Sequence, residues 1–297
     1  MVQPVPWVRV AEIVEGALAG CGLPYALRGL LEVPLRQPGK LLAGSPRWPA
    51  LVLASAEAAG GNGAAALRVA AGVEIFMAGV DALDEIEDGD PSPLVEMAGS
   101  AQALNAGSAL LMLGQRVLAD VVDDGVAPEM AHRLQRTLLD AALTAAGGQH
   151  LDLAAARHTV SPDDAFQIVQ LKAGALVAGI ARLGAQLGTD DEATVSLYGE
   201  WGRHWGTVAQ LENDLRDARD DVDKRDRERE KGTLPLLYAG RVPDSSSQDF
   251  DPDAPGQIDA VDFTQVVIDV ERQYAAAALA ELAARGQDVA PLAGLMG

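Results

Sequence analysis

An all-α protein is what this sequence predicts, and three observations carry that prediction. Hydrophobic residues make up 48% of the 297 positions and aromatics only 4%, so the core must be built from Ala, Leu and Val, a composition that favours helices over sheets. Apolar residues recur at helical period along nearly every segment. Alternating β-branched runs between tight-turn signals, the mark of strands, are essentially absent.

Taken in order, Ala64–Asp88, Ser100–Val122 and Ala127–Ala156 are long Ala/Leu-rich segments that read as helices. The next, Ser161–Gly188, opens with Ser161 as a side-chain cap and Pro162 at the first helical position, where its missing N–H costs nothing. Another helix follows from Asp191 after a Gly-Thr-Asp break. Two stretches read as irregular, Leu31–Pro49 and the polar Pro/Asp/Ser run Arg241–Asp262, which precedes a last helix. No repeat of 20–50 residues is visible. The expectation is a single all-α domain over residues 1–297, with about ten helices, most of them buried on more than one face.

Charge and cysteine usage narrow the function classes. A formal charge of −20 weighs against binding nucleic acid or an anionic membrane surface, both of which need positive potential. The single cysteine, Cys21, leaves no intramolecular disulfide and no Cys-based zinc site, which fits a reducing cytoplasm. The opening MVQPVPWVRVAEIVEG lacks a basic segment followed by an apolar one, and apolar runs are interrupted before the roughly 18 residues of a membrane span. A cytoplasmic protein without an integral membrane segment is expected. His132, His150, His158 and His204 show no metal-ligand spacing.

Two acidic segments stand out, DALDEIEDGD from Asp81 and QLENDLRDARDD from Gln210. At helical period Asp81, Asp84, Glu85 and Asp88 share a stripe about 100° wide, and Gln210, Asn213, Asp214, Asp217 and Asp221 share another. Both stripes end helices whose upstream rows are strongly apolar, whereas solvated charge spreads along a face and alternates in sign. Like charges at these spacings repel by about a few tenths of a kcal/mol per pair. A cation removes that repulsion, and Mg²⁺ prefers carboxylate oxygens and shares its octahedron with water and substrate phosphates. From pattern alone, two readings stand: a solvated acidic face, or a divalent-cation site for a diphosphate.

The chain resembles the all-trans prenyl diphosphate synthases, the polyprenyl synthetases of the isoprenoid synthase fold, over most of its length. LDEIEDGD is similar to that family's first acidic motif, with Asp84, Glu85 and Asp88 at the acidic positions. QLENDLRD is similar to the second, with Asn213, Asp214 and Asp217 there and Gln210 at the expected glutamine. Glu74 lies ten residues before Asp84, GGQHLDL supplies Gln149 and Asp152, LKAGALVAGIARLGAQLG retains Lys172 with Ala173 in place of threonine, and the KGTLP stretch brings Lys231 with Lys224 upstream. The resemblance implies a helical bundle around a central cavity, Mg²⁺ as cofactor, an allylic prenyl diphosphate as substrate and a homodimer. It implies Asp84, Asp88 and Asp214 as metal ligands, supported by Glu85, Asn213 and Asp217. Lys172, Lys224, Lys231 and Gln210 would hold the leaving diphosphate, with Lys172, Gln149 and Asp214 in the catalytic set.

Departures from the family pattern open alternatives. The family binds isopentenyl diphosphate with basic residues that here are replaced, so that AGSPRWP leaves Arg47 and, further off, Lys40 as substitutes, and no arginine follows Asp90 in PSPLVEMAG. A chain-elongating prenyltransferase is the first reading. A terpene synthase acting on one prenyl diphosphate is the second, and a partner-dependent or peptide-prenylating member the third. Phe76, Phe166, Trp201 and Trp205 are the few aromatics available to steady a carbocation, each also readable as core. Small residues at Ala78, Gly79 and Val80, one turn before the first acidic motif, imply an open floor that suits longer prenyl chains.

Overall fold

The structure, a computed structural model, describes residues 6–61, 63–155, 160–219, 233–239 and 260–296. Among the described residues there is no strand, as the sequence predicts. The helices are α1 (Pro6–Ala19), α2 (Tyr25–Leu35), α3 (Arg47–Ala58), α4 (Ala64–Asp88), α5 (Pro93–Ala98), α6 (Ser100–Ala119) and α7 (Pro128–Ala154). They continue as α8 (Pro162–Val169), α9 (Ala175–Gln186), α10 (Glu192–Arg219), α11 (Leu234–Ala239), α12 (Ala260–Ala284) and α13 (Ala290–Ala293).

Local chemistry accounts for the ends. α4 has the bounds read from the sequence and stops at Gly89, whose left-handed φ of 63° lets its N–H reach back to the carbonyls of Glu85 and Ile86. Ser161 and Asp164 form a reciprocal capping box at the start of α8, each accepting a backbone N–H of the other. α6 is shorter than expected, because Asp120–Asp124 tightens into a 3₁₀ turn closed by Gly125 at φ 87°. The stretch Leu31–Pro49, read as irregular, is helical at both ends. α2 runs one residue past Pro34, and a proline that near a C-terminus disrupts little beyond it. α3 already begins at Arg47, so only 36–46 lies between the two α-helices, with a 3₁₀ turn at Leu41–Ala43.

The helices group into two compact units, the division falling within α7, α9, α10 and α12. The first comprises Met1–Leu139, Ile180–Tyr198 and Leu282–Gly297. Its most extensive contact joins α4 to α6. Two glycines on each helix make that approach possible. A Cβ on Gly79 would stand 2.9 Å from the Gly107 carbonyl oxygen, and one on Gly114 would stand 2.7 Å from the Phe76 nitrogen. α1 and α3 cover other faces of α4, burying Val10, Val14, Leu51 and Val52. Burial of such side chains stabilises by about 1.5–3 kcal/mol each. Gly79 is therefore committed to the seam with α6, so its own small size serves helix packing.

The second unit comprises Asp140–Gly179 and Gly199–Glu281. Its core includes Ala165, Val169, Val208, Leu211, Leu215, Leu234 and Ile268, contributed by α8, α10, α11 and α12. Trp201 is fully buried and stacked on Trp205 with ring centroids 5.6 Å apart, which places both indoles in the core packing. His204, buried, shares a 2.6 Å hydrogen bond with Glu271 and ties α10 to α12.

The helical stretch Pro162–Gln186 is, among the described residues, long and apolar enough to cross a membrane by length and composition, which the sequence reading did not expect. More than half of its most apolar window is buried, as in a core helix.

Candidate active site

In the first unit the acidic stripe closes α4. Glu74 is fully buried two turns before Asp81, and Asp84, Glu85 and Asp88 are half-buried while Glu87 points to solvent. The Leu41 N–H donates to Glu74 Oε1 at 2.6 Å, and Lys40, only 6% exposed, forms an ion pair with Asp81. Burial pushes the Glu74 carboxyl above the usual carboxylate range, against the pull of the Leu41 N–H and the Lys40 charge. Burial also raises Glu85, opposed by the Ser92 hydroxyl and Lys40 and reinforced by Asp81 and Asp90. Arg47 is exposed, its guanidinium 5.3 Å from the centre of the Trp48 ring. Of the two cations read as substitutes for the missing basic motif, then, Lys40 is already engaged by a carboxylate and Arg47 rests on an aromatic face.

In the second unit three backbone segments converge. Gly148 on α7 lies so close to the turn after α8 that a Cβ there would be 2.7 Å from the Lys172 nitrogen. That turn, Gln170–Gly174, is a single π-helical turn between α8 and α9, and such widened turns recur at functional sites because they re-aim one side chain. Lys172 sits in it and lies 3.4 Å from Asp152. Gly206 on α10 approaches the carbonyl of Ala173 to within 2.9 Å of its own would-be Cβ, so a small residue fits beside Lys172. Among the described residues, both polar atoms of the Gln149 side chain are buried without a hydrogen-bond partner. Along α10, Gln210 donates to Asp214 at 2.8 Å and Arg216 donates to Asn213 at 3.0 Å.

The structure thus brings Lys40 to the first stripe, Lys172 to Asp152, and Gln210 to Asp214. Asp217 lies on α10, but its side chain is outside the described residues, as are Asp221, Lys224 and Lys231. Sequence reasoning missed the Lys40–Asp81 pair and the π-turn. Only the extra carboxylate at Asp81 hinted at the first, and nothing in the helical period hinted at the second.

Among the described residues no three His, Cys, Asp or Glu side chains gather closely enough to hold a metal by themselves. The donor set still suits a hard divalent cation, which takes one or two carboxylates and fills its octahedron with water and phosphate oxygens. Asp84 and Asp88, half-buried one turn apart, supply such a pair.

Solved structures with the same architecture include a polyprenyl synthetase from Streptomyces coelicolor A3(2), at a TM-score of 0.74 and 21% identity, covering 93% of this chain and 92% of that one. A decaprenyl diphosphate synthase from Rhodobacter capsulatus matches at 0.72 and 18%, covering 97% and 93%. The sequence then settles the family, because residues 28–251 match the polyprenyl synthetases and this chain belongs to that family. Relatives include the geranylgeranyl diphosphate synthase of Mycobacterium tuberculosis, 31% identical over 202 residues, which is 64% of this chain and 57% of that protein. The tryptophan prenyltransferase ComQ of Bacillus spizizenii is 29% identical over 188 residues, 61% of each chain. The chain spans about half the length of the first curated relatives it matches, 57% and 47%.

Proposed function

We propose that this protein is a Mg²⁺-dependent prenyltransferase that ionises an allylic diphosphate and condenses it with isopentenyl diphosphate. The observation that carries the reading is the half-buried stripe Asp84, Glu85 and Asp88 closing an otherwise buried helix, within the segment that matches the polyprenyl synthetases. We propose that Asp84 and Asp88 on α4 are metal ligands with Glu85 in support, and that Asp214 on α10 is a metal ligand with Asn213 and Asp217 in support. Mg²⁺, when bound, supplies charge to the departing diphosphate.

The residues of the chain do the rest. Breaking the C1–O bond leaves the electron pair on diphosphate, where Lys172, Lys224 and Lys231 neutralise it and the Gln210 amide donates a hydrogen bond. Gln149, with its unused amide, orients the substrate beside Lys172. The alkene of isopentenyl diphosphate gives its electron pair to C1, and the resulting tertiary cation loses its C2 proton to the released diphosphate, which forms the new allylic double bond. Arg47 is the cation proposed for that second diphosphate, since Lys40, the other cation read from the sequence, is held by Asp81. A cytoplasmic homodimer is part of the same proposal and rests on family resemblance.

A second reading has a specific observation in its favour. With Lys40 paired to Asp81 and Arg47 on Trp48, few cations are left for a second diphosphate, and a buried polyanion without partners is costly. That favours turnover of a single prenyl diphosphate, as in a terpene synthase, or transfer to an acceptor without a diphosphate, as the name of the ComQ relative describes for tryptophan. Purified protein with Mg²⁺ and geranyl, farnesyl or geranylgeranyl diphosphate, with and without isopentenyl diphosphate, separates them. Longer diphosphates formed only with isopentenyl diphosphate support the first reading. Hydrocarbons or alcohols from one diphosphate alone support the terpene-synthase form of the second, and no product in any mixture overturns both elongation and terpene synthesis.

A further inference from the structure

Lys40 comes from the segment between α2 and α3, 41 residues before its partner Asp81, yet it is almost fully buried. Its neighbour Leu41 grips the same helix through Glu74, two turns from Asp81 on one face of α4. The Glu74 oxygen not bound by Leu41 has no hydrogen-bond partner, so this end of the grip is a buried carboxylate facing no other donor. The stripe beyond offers two carboxylate pairs one turn apart, Asp81 with Glu85 and Asp84 with Asp88. Lys40 occupies one member of the first pair.

We propose that Lys40 is a built-in cation that holds Asp81 out of the metal-binding set and so confines a divalent ion to the Asp84–Asp88 pair. It is a positioning residue, and the inference rests on reading the stripe as a metal–diphosphate site. The physical argument is competition. A dication and an ammonium repel, so Lys40 weakens cation binding at Asp81 and Glu85. Without it, two registers about 5.4 Å apart compete for the ion, and the extra one is a full turn from the productive position. Removing Lys40 therefore moves affinity and turnover in opposite directions, which loss of a merely structural contact does not do.

The test is Mn²⁺ titration of the full chain, free Mn²⁺ being read by electron paramagnetic resonance, with and without inorganic diphosphate and with circular dichroism as a check on folding. Lys40→Met is expected to bind Mn²⁺ alone about tenfold more tightly than the parent chain while its kcat falls. Lys40→Arg stays near the parent, and Lys40→Met/Asp81→Asn loses the gain. If Lys40→Met does not fold, the polar but uncharged Lys40→Gln carries the same expectation. Unchanged or weaker Mn²⁺ binding by the neutral variants, or a gain that survives Asp81→Asn, overturns the inference while leaving the proposed function intact. Failure of every chain to bind Mn²⁺ even with diphosphate overturns both.

Discussion

The two acidic faces meet the same electrostatic problem in different ways. On α4 four acidic residues, Asp81, Asp84, Glu85 and Asp88, share one stripe, and a buried lysine from another segment neutralises the first of them. On α10 the comparable stripe is diluted from within. Gln210 and Asn213 are amides, and Gln210 spends an N–H on Asp214. A lysine adds a full charge and fixes one carboxylate, whereas an amide adds a donor without charge. The α4 face thus takes a cation from a distant segment, while on α10 the amide of Gln210, one turn away, donates to Asp214.

Breaking each face in turn tests that contrast. Asp84→Asn and Asp214→Asn are each expected to lower kcat by about 10²–10³-fold with little change in melting temperature, measured by product formation and thermal denaturation. An effect confined to α4 variants would separate the two faces. For stability the order reverses between pairs. Asp81→Asn strands the buried Lys40 ammonium and costs about 2–3 kcal/mol by chemical denaturation, below the full cost of a buried pair because Asp81 is 42% exposed. Gln210→Leu removes one neutral-to-charged hydrogen bond at a half-buried site and costs only about 0.5–1.5 kcal/mol.

Gly79→Ala forces a Cβ against the Gly107 carbonyl and is expected to cost about 1–2 kcal/mol, with product length unchanged because the residue faces α6. The smallest effect is a pH dependence at Glu74. Its folded-state pKa is raised, so the ionised form at neutral pH works against folding, and stability is lost as pH rises through that pKa. Glu74→Gln keeps an acceptor for Leu41 and should stabilise slightly at pH 7, a gain that disappears below the ordinary glutamate range.

The legible parts of this molecule are those decided locally. α4 could be read to the residue because its apolar period runs unbroken to a glycine that takes a left-handed cap, and both acidic stripes follow from helical spacing alone. What escaped depends on distance or on register. Lys40 and Asp81 are far apart in sequence, so only folding pairs them. The π-turn around Lys172 adds one residue to a helix without changing its composition. Gly79 shows a subtler limit, since a small residue beside a cavity and a small residue in a helix seam read alike until the neighbouring helix is known.

Each acidic face is proposed to bind Mg²⁺ and diphosphate. Calorimetric titration with an unreactive allylic thiolodiphosphate in the presence of Mg²⁺ tests it on the parent chain, Asp84→Asn/Asp88→Asn and Asp214→Asn. The account predicts binding that depends on Mg²⁺ and weakens severely in Asp84→Asn/Asp88→Asn and in Asp214→Asn. Binding that survives intact when one face is neutralised would contradict it.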